Sequence, residues 1–217
     1  DGYEDLLVTN GHLHDVNDRD SQAKFARVPK AKRSQVGLLM FPPNTTANVA
    51  YRNLGNFKFA ETGQAWGFNS PQTSHGIATG DLDNDGDPDL IVGQQSGATS
   101  SLSVILNQGG RSFENAGDYV VNGILYTLSL VDLNGDAFLD VVVASGARIV
   151  TLFNQGDGSL DGATTYTPIA DTRFVHAADV NGDGAADLLS ADRGMSTVSL
   201  WLNANQGDGR LDDALHL

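Results

Sequence analysis

Three nine-residue segments of this chain superimpose without gaps, and that repetition constrains the fold more than any composition figure does. They are Asp81-Leu82-Asp83-Asn84-Asp85-Gly86-Asp87-Pro88-Asp89, Asp132-Leu133-Asn134-Gly135-Asp136-Ala137-Phe138-Leu139-Asp140 and Asp179-Val180-Asn181-Gly182-Asp183-Gly184-Ala185-Ala186-Asp187. They start at residues 81, 132 and 179, and each runs into an apolar stretch: Leu90-Ile91-Val92, Val141-Val142-Val143 and Leu188-Leu189. A second signal recurs in phase: Arg52-Asn53-Leu54-Gly55, Leu106-Asn107-Gln108-Gly109-Gly110, Phe153-Asn154-Gln155-Gly156-Asp157-Gly158 and Asn205-Gln206-Gly207-Asp208-Gly209. Each follows an alternating stretch such as Val198-Ser199-Leu200-Trp201-Leu202. Asn-Gly and Asp-Gly turn chemistry between such stretches predicts hairpins.

One unit is therefore strand, Asp-rich loop, strand, connection, strand, Asn/Gly turn and a last strand, over roughly 50 residues. Four short strands at that period predict a propeller blade, whose two faces must be buried by neighbours. The 217 residues are read as a single all-β domain, a β-propeller of about four blades. The boundaries are 1–70 for a partial first blade, 71–120 for the second, 121–170 for the third and 171–217 for the fourth. Asp1-Gly2-Tyr3-Glu4-Asp5-Leu6-Leu7-Val8 matches Asp85-Gly86-Asp87-Pro88-Asp89-Leu90-Ile91-Val92. The first blade is thus expected to lack its inner strand and half its loop, and to carry an insert at about residues 12–46. The chain is therefore expected to be part of a larger propeller or to be completed by another copy.

The acidic residues say what the loops are for. Of 27 acidic side chains 24 are Asp, and Asp suits turns and hard-cation sites better than helix surfaces. Ca²⁺ takes six to eight oxygens from alternate positions of a tight loop. Positions 1, 3, 5 and 9 supply them: Asp81, Asp83, Asp85 and Asp89; Asp132, Asn134, Asp136 and Asp140; Asp179, Asn181, Asp183 and Asp187. Position 7, which is Asp87, Phe138 or Ala185, would contribute a backbone carbonyl, so its side chain is free to vary. A partial fourth set, Asp1 and Asp5, lies at the N-terminus. An EF-hand is excluded, because position 12 carries Val92, Val143 or Ser190 rather than Glu. Plain Asx turns would leave crowded carboxylates repelling one another in all three loops. About three Ca²⁺ are expected, with the Asp132 loop weakest because Ala137 stands where Gly86 and Gly184 permit positive φ.

The loop followed by an apolar strand resembles the FG-GAP/VCBS repeat of integrin-α-type β-propellers. Residues 1–97 look closer still to the propellers that accompany ASPIC/UnbV domains. Asp5-Leu6-Leu7-Val8-Thr9-Asn10-Gly11-His12 precedes an insert, then come Tyr51-Arg52-Asn53-Leu54-Gly55-Asn56-Phe57-Lys58-Phe59 and the Gly80-Asp81-Leu82-Asp83-Asn84-Asp85-Gly86 loop. The resemblance implies a secreted or cell-surface propeller, commonly seven-bladed, with calcium as a structural ion. The family spans adhesion, ligand binding and domains attached to enzymes, so it does not choose among them.

Other features narrow the function classes. A formal charge of −14 disfavours nucleic acid and anionic membranes as partners of the whole chain. No apolar run approaches the ~20 residues of a membrane span. The opening residues are not a basic-then-apolar leader. Without cysteine there are no disulfides or thiolate sites. No nucleophile elbow, Walker loop or His-Glu-x-x-His occurs, and three scattered Glu do not suggest a glycosidase pair. His12 and His14 lack a third ligand, while His75 and His176 sit at unequal offsets from their loops and read as packing. Arg19, Lys24, Arg27, Lys30, Lys32 and Arg33 put six of 13 cations into 15 positions, a candidate contact for an acidic partner such as another copy. Asn44-Thr45-Thr46 is a glycosylation sequon. The sequence thus points to a non-catalytic, extracellular calcium-binding propeller that engages a protein or glycan ligand. An oligomer or filament subunit and an accessory domain of a larger secreted enzyme are the alternatives.

Overall fold

A computed structural model describes residues 3–11, 19–33, 40–42, 46–96, 99–110, 112–168, 171–193 and 195–216. Among the described residues four antiparallel sheets follow one another along the chain. The first holds β1 (Leu6–Val8), β2 (Val49–Asn53) and β3 (Phe59–Glu61). The second holds β4 (Thr73–Gly80), β5 (Asp89–Ser96), β6 (Thr99–Asn107) and β7 (Phe113–Asn122). The third holds β8 (Thr127–Val131), β9 (Asp140–Ala144), β10 (Ile149–Asn154) and β11 (Leu160–Tyr166). The fourth holds β12 (Asp171–Ala178), β13 (Asp187–Arg193), β14 (Thr197–Trp201) and β15 (Leu215–His216).

Strands pair in sequence order within each sheet, as in a propeller blade. The three full blades begin with β4, β8 and β12, and β8 lies against both β4 and β12. The first sheet begins directly with β1, whose Leu6 pairs with Tyr51 as Leu90 of β5 pairs with Ile105. It is three-stranded among the described residues, as the truncated motif predicted.

The cores lie between blades. Leu82, Ile91, Val141, Leu152 and Leu160 bury one junction, and Leu133, Val142, Leu188 and Trp201 the next. Ala50, Trp66, Phe68, Leu90 and Val92 bury the junction between the first two sheets. Residues 90–92 of β5 and 141–144 of β9 are unbroken apolar runs because both of their faces are covered there. Glycine is required where blades meet closely. A Cβ on Gly209, at φ +65°, would stand 2.4 Å from Phe153.

Polar ties join the same layers. Asn154 Nδ2 donates to Leu82 O at 2.8 Å, and Asn203 Nδ2 donates to Leu133 O at 2.7 Å. The Leu160 amide donates to the Tyr119 hydroxyl and the Leu211 amide to the Tyr166 hydroxyl, so the same bond recurs one blade on.

Within the insert, α1 (Arg19–Ala26) and a 3-10 turn at Lys30–Lys32 are described. Arg33 donates to Val28 O and Ala26 O and lies over the Phe25 ring. It is therefore spent on holding the insert together. Arg19, Lys24, Arg27, Lys30 and Lys32 are exposed. His12, His14 and Asn44 lie outside the described residues. No described helix is long and apolar enough to cross a membrane.

Replacing Asn154 by Ala should lower the unfolding free energy by about 1–2 kcal/mol, the worth of a buried bond with its acceptor left behind. Asn107→Ala, whose amide reaches only Pro88 O at 3.3 Å, should cost clearly less; paired urea melts make the comparison.

Candidate metal centre

Each Asp loop is built twice over from its own backbone. The position-5 carboxylate accepts the position-7 amide, as in Asp85 from Asp87, Asp136 from Phe138 and Asp183 from Ala185. The position-3 side chain accepts the position-5 amide. These Asx turns need left-handed backbone at position 4 (Asn84, Gly135, Gly182) as well as position 6 (Gly86, Ala137, Gly184). Ala137 takes φ 72° and so keeps the turn that glycine takes at 90° in the other two loops. Among L-residues that conformation costs on the order of 1 kcal/mol.

Position 9 works differently. Asp89, Asp140 and Asp187 are fully buried. One oxygen of each accepts the position-2 amide, from Leu82 (2.7 Å), Leu133 (2.9 Å) and Val180 (3.0 Å). The other accepts the amide of the asparagine that opens the next turn, from Asn107 (2.7 Å), Asn154 (2.9 Å) and Asn203 (2.8 Å). Each carboxylate thus pins its loop to the hairpin beyond. Asp5 accepts the Asn53 amide at 2.8 Å, so the first repeat keeps this bond. Asp1 lies outside the described residues.

The loops diverge at positions 1 and 3. Asp132 and Asp179 use both oxygens on loop amides: Gly135 and Ala137 for the former, Gly182 and Gly184 for the latter. Asp81 accepts only the Gly86 amide, through Oδ2, and its buried Oδ1 has no hydrogen-bond partner. At position 3 the Asn134 and Asn181 amides donate to Asp136 and Asp183 at 2.8 and 2.9 Å. Asp83 has no such proton to give. Oxygens of Asp81, Asp83 and Asp89 consequently lie within 4.8 Å of one another, a convergence found in that loop alone among the described residues. Carboxylate oxygens with one buried lone pair unspent are what a hard dication requires, so the first loop fits one. Burial, with the charges of Asp89, Asp85 and Asp81, holds the Asp83 carboxyl above its ordinary value.

A buried carboxylate outside the loops is not legible in the repeat. Asp192 accepts the Thr172 and Ser199 hydroxyls at 2.5 and 2.6 Å, and Ser199 Oγ also meets His216 Nδ1 at 2.8 Å. The serine stands between acid and histidine and is fully buried, so the imidazole does not relay between the other two as a nucleophilic triad requires.

The repeat loops have a match among protein families: the FG-GAP-like repeat, over residues 36–92 and 132–190. The chain belongs to that family. This FG-GAP propeller resembles solved structures as well. One is an Agrocybe aegerita lectin that recognises non-reducing terminal N-acetylglucosamine, at 23% identity and TM-score 0.49, covering 79% of this chain and 46% of the lectin. Another is the Photorhabdus luminescens Tc holotoxin pore, at 19% identity and TM-score 0.42, covering 79% of this chain and 8% of the toxin chain. The FG-GAP chain therefore spans less than half the length of either. No curated protein matches it.

Burial raises Asp140 from 3.8 to about 6, against its two amide bonds and with help from Asp136 and Asp132. A raised carboxyl is protonated more readily in the folded than in the unfolded chain. Its contribution is therefore full below its ordinary value and lost as pH climbs through about 6. In chelator, the drop in unfolding free energy between pH 4 and 7 should be smaller in Asp140→Asn than in the parent, as read by denaturant melts at each pH.

Proposed function

We propose that this FG-GAP propeller is a non-catalytic, calcium-stabilised scaffold that presents its connecting loops to a protein or glycan ligand outside the cell. The observation that carries the calcium half is the Asp81–Asp83–Asp89 cluster with its unpartnered Asp81 Oδ1. An all-protein, carboxylate-rich, flexible loop suits Ca²⁺ better than Mg²⁺, which keeps several waters and near-ideal octahedral geometry. Asp85 and the Asp87 carbonyl complete the donor set we assign there. Asp132, Asn134, Asp136, Asp140 and the Phe138 carbonyl form a second set, and Asp179, Asn181, Asp183, Asp187 and the Ala185 carbonyl a third. Both are weaker, because their position-1 carboxylates are already saturated by amides. A cation supplies charge neutralisation and fixes the loop, so its role is structural.

Recognition falls to surface loops because the repeat positions are consumed by the fold. The five exposed cations of the insert give one such surface a sign opposite to the rest of the chain, which suits an acidic partner. The negative whole disfavours nucleic acid. A second reading, subunit of a larger ring or filament, is favoured by apolar side chains left exposed on the two outermost sheets. These are Leu6, Val8 and Phe59 on the first and Phe174, Val198 and Leu215 on the fourth.

Calorimetric titration of calcium into chelator-stripped protein should show one binding class tighter than the rest, and Asp83→Asn should abolish that class while sparing the weaker ones. No heat of binding in the parent, with a melting temperature unmoved by calcium, would overturn the calcium reading.

A further inference from the structure

The insert between β1 and β2 carries charge against the rest of the chain. Residues 19–33 hold six cations and one acid, a local charge of +5, so the remainder carries −19. The segment is folded on an apolar underside. Phe25 meets Phe41 at 5.7 Å between ring centres, and Phe41 and Ser21 are buried. Arg33 closes the unit through Val28 O, Ala26 O and the Phe25 ring. Backbone bonds from the Arg27 amide to Lys24 O and from the Lys32 amide to Pro29 O turn the segment on itself. Arg19, Lys24, Arg27, Lys30 and Lys32 are left exposed on this folded unit.

Among the described residues none of these five cations makes an ion pair, although the chain holds 27 acids to 13 cations. Elsewhere a cation with an acid two residues away does pair with it, Arg173 with Asp171 and Arg210 with Asp208. Asp20 and Lys24 stand one turn apart in α1, a spacing that permits a pair, and do not form one. Like charges gathered on one small unit repel, and an anionic partner relieves that repulsion. A second observation concerns what the surface lacks: no large apolar or aromatic side chain of residues 19–33 is among the exposed ones.

That lack separates the anionic partners. A protein interface centres on aromatic and apolar anchors, which this surface does not offer. Single-stranded nucleic acid is held by aromatic stacking platforms as well as by charge. A duplex or an anionic membrane is broad, and would bring the acidic remainder of the chain within the screening length of about 8–10 Å. A linear polymer of sulfated or carboxylated sugars asks only for a row of cations. We infer that the insert is a binding site for a linear acidic polysaccharide. The guanidinium forks of Arg19 and Arg27 match two oxygens of one anionic group, and Lys24, Lys30 and Lys32 act as point charges along the polymer. This deepens the reading of the insert as a surface for an acidic partner and rests on it, while the calcium reading stands apart.

The probes are fluorescently labelled heparin and polygalacturonate oligomers, the first sulfated and the second carboxylated only, titrated by anisotropy into the full chain with calcium present. Binding of either supports the inference, and their order says which anion the site takes. Five cations neutralising a flexible polyanion predict a slope of log K against log salt of about −3. Replacing Lys24, Arg27, Lys30 and Lys32 together by Gln should weaken binding at least tenfold and bring the slope to about −1. These four are exposed and Arg33 is kept, so the melting temperature and the calcium titration should not move. The slope in the parent is read without any variant. No binding of either sugar polymer, or equal binding by parent and variant, overturns the inference. Tighter binding of polyglutamate overturns it in favour of an acidic protein and leaves the acidic-partner reading standing. Tighter binding of single-stranded DNA overturns it in favour of nucleic acid.

Discussion

A carboxylate that folding removes from water has to find its hydrogen-bond donors in the protein, and in this chain that requirement is met the same way three times over. Asp89, Asp140 and Asp187 each take one amide from the start of their own loop and one from the asparagine at the end of the third strand. The two amides come from segments that no regular ladder joins. Without the carboxylate they would be buried donors without acceptors, at roughly 1–3 kcal/mol each. The clamp fixes where the Asp loop sits relative to the turn beyond it. In the third and fourth blades the asparagine so positioned, Asn154 or Asn203, then reaches across to the previous blade's loop. One buried acid therefore sets both the shape of a blade and its spacing from the next.

This division of labour explains why the loops can differ in cation chemistry while keeping one fold. Positions 1, 3 and 5 are filled by side-chain acceptors of loop amides in all three described loops, but only the first of them leaves an oxygen of position 1 unspent and replaces the position-3 amide by a third acid. The second and third loops solve the crowding of charge partly with an internal Nδ2 donor. The first loop has no internal remedy, and the cation proposed for it would be the external one. Its neighbours become a graded series rather than copies.

Much of this was legible in the residues. Turn chemistry is local, so Asn-Gly and Asp-Gly pairs between alternating stretches marked the β6–β7 and β10–β11 hairpins, and the repeat period marked the blades. That β1 of the first sheet corresponds to the second strand of a full blade was legible from the match of Asp5-Leu6-Leu7-Val8 to Asp89-Leu90-Ile91-Val92. The clamp was not, because an aspartate that binds a metal and one that accepts two amides are the same letter at the same spacing. Nor was the tie from Asn154 to Leu82, which joins residues 72 apart. Arg33 shows the converse: in sequence it belongs to a basic surface, in the structure it caps Ala26 and Val28 and covers Phe25. Asp192 carries no repeat signal, since Thr172, Ser190 and Ser199 converge on it from three strands.

The clamp is tested most directly by native-state amide hydrogen exchange, resolved by residue. The account predicts that the amides of Leu82, Leu133 and Val180, and of Asn107, Asn154 and Asn203, exchange as slowly as the core strands β5, β9 and β13. The loop amides of Gly86, Gly135 and Gly182, which belong to exposed residues, should exchange orders of magnitude faster. Clamp amides that exchange as fast as those glycines would contradict it, and the buried aspartates would then be passengers of the fold rather than what holds it.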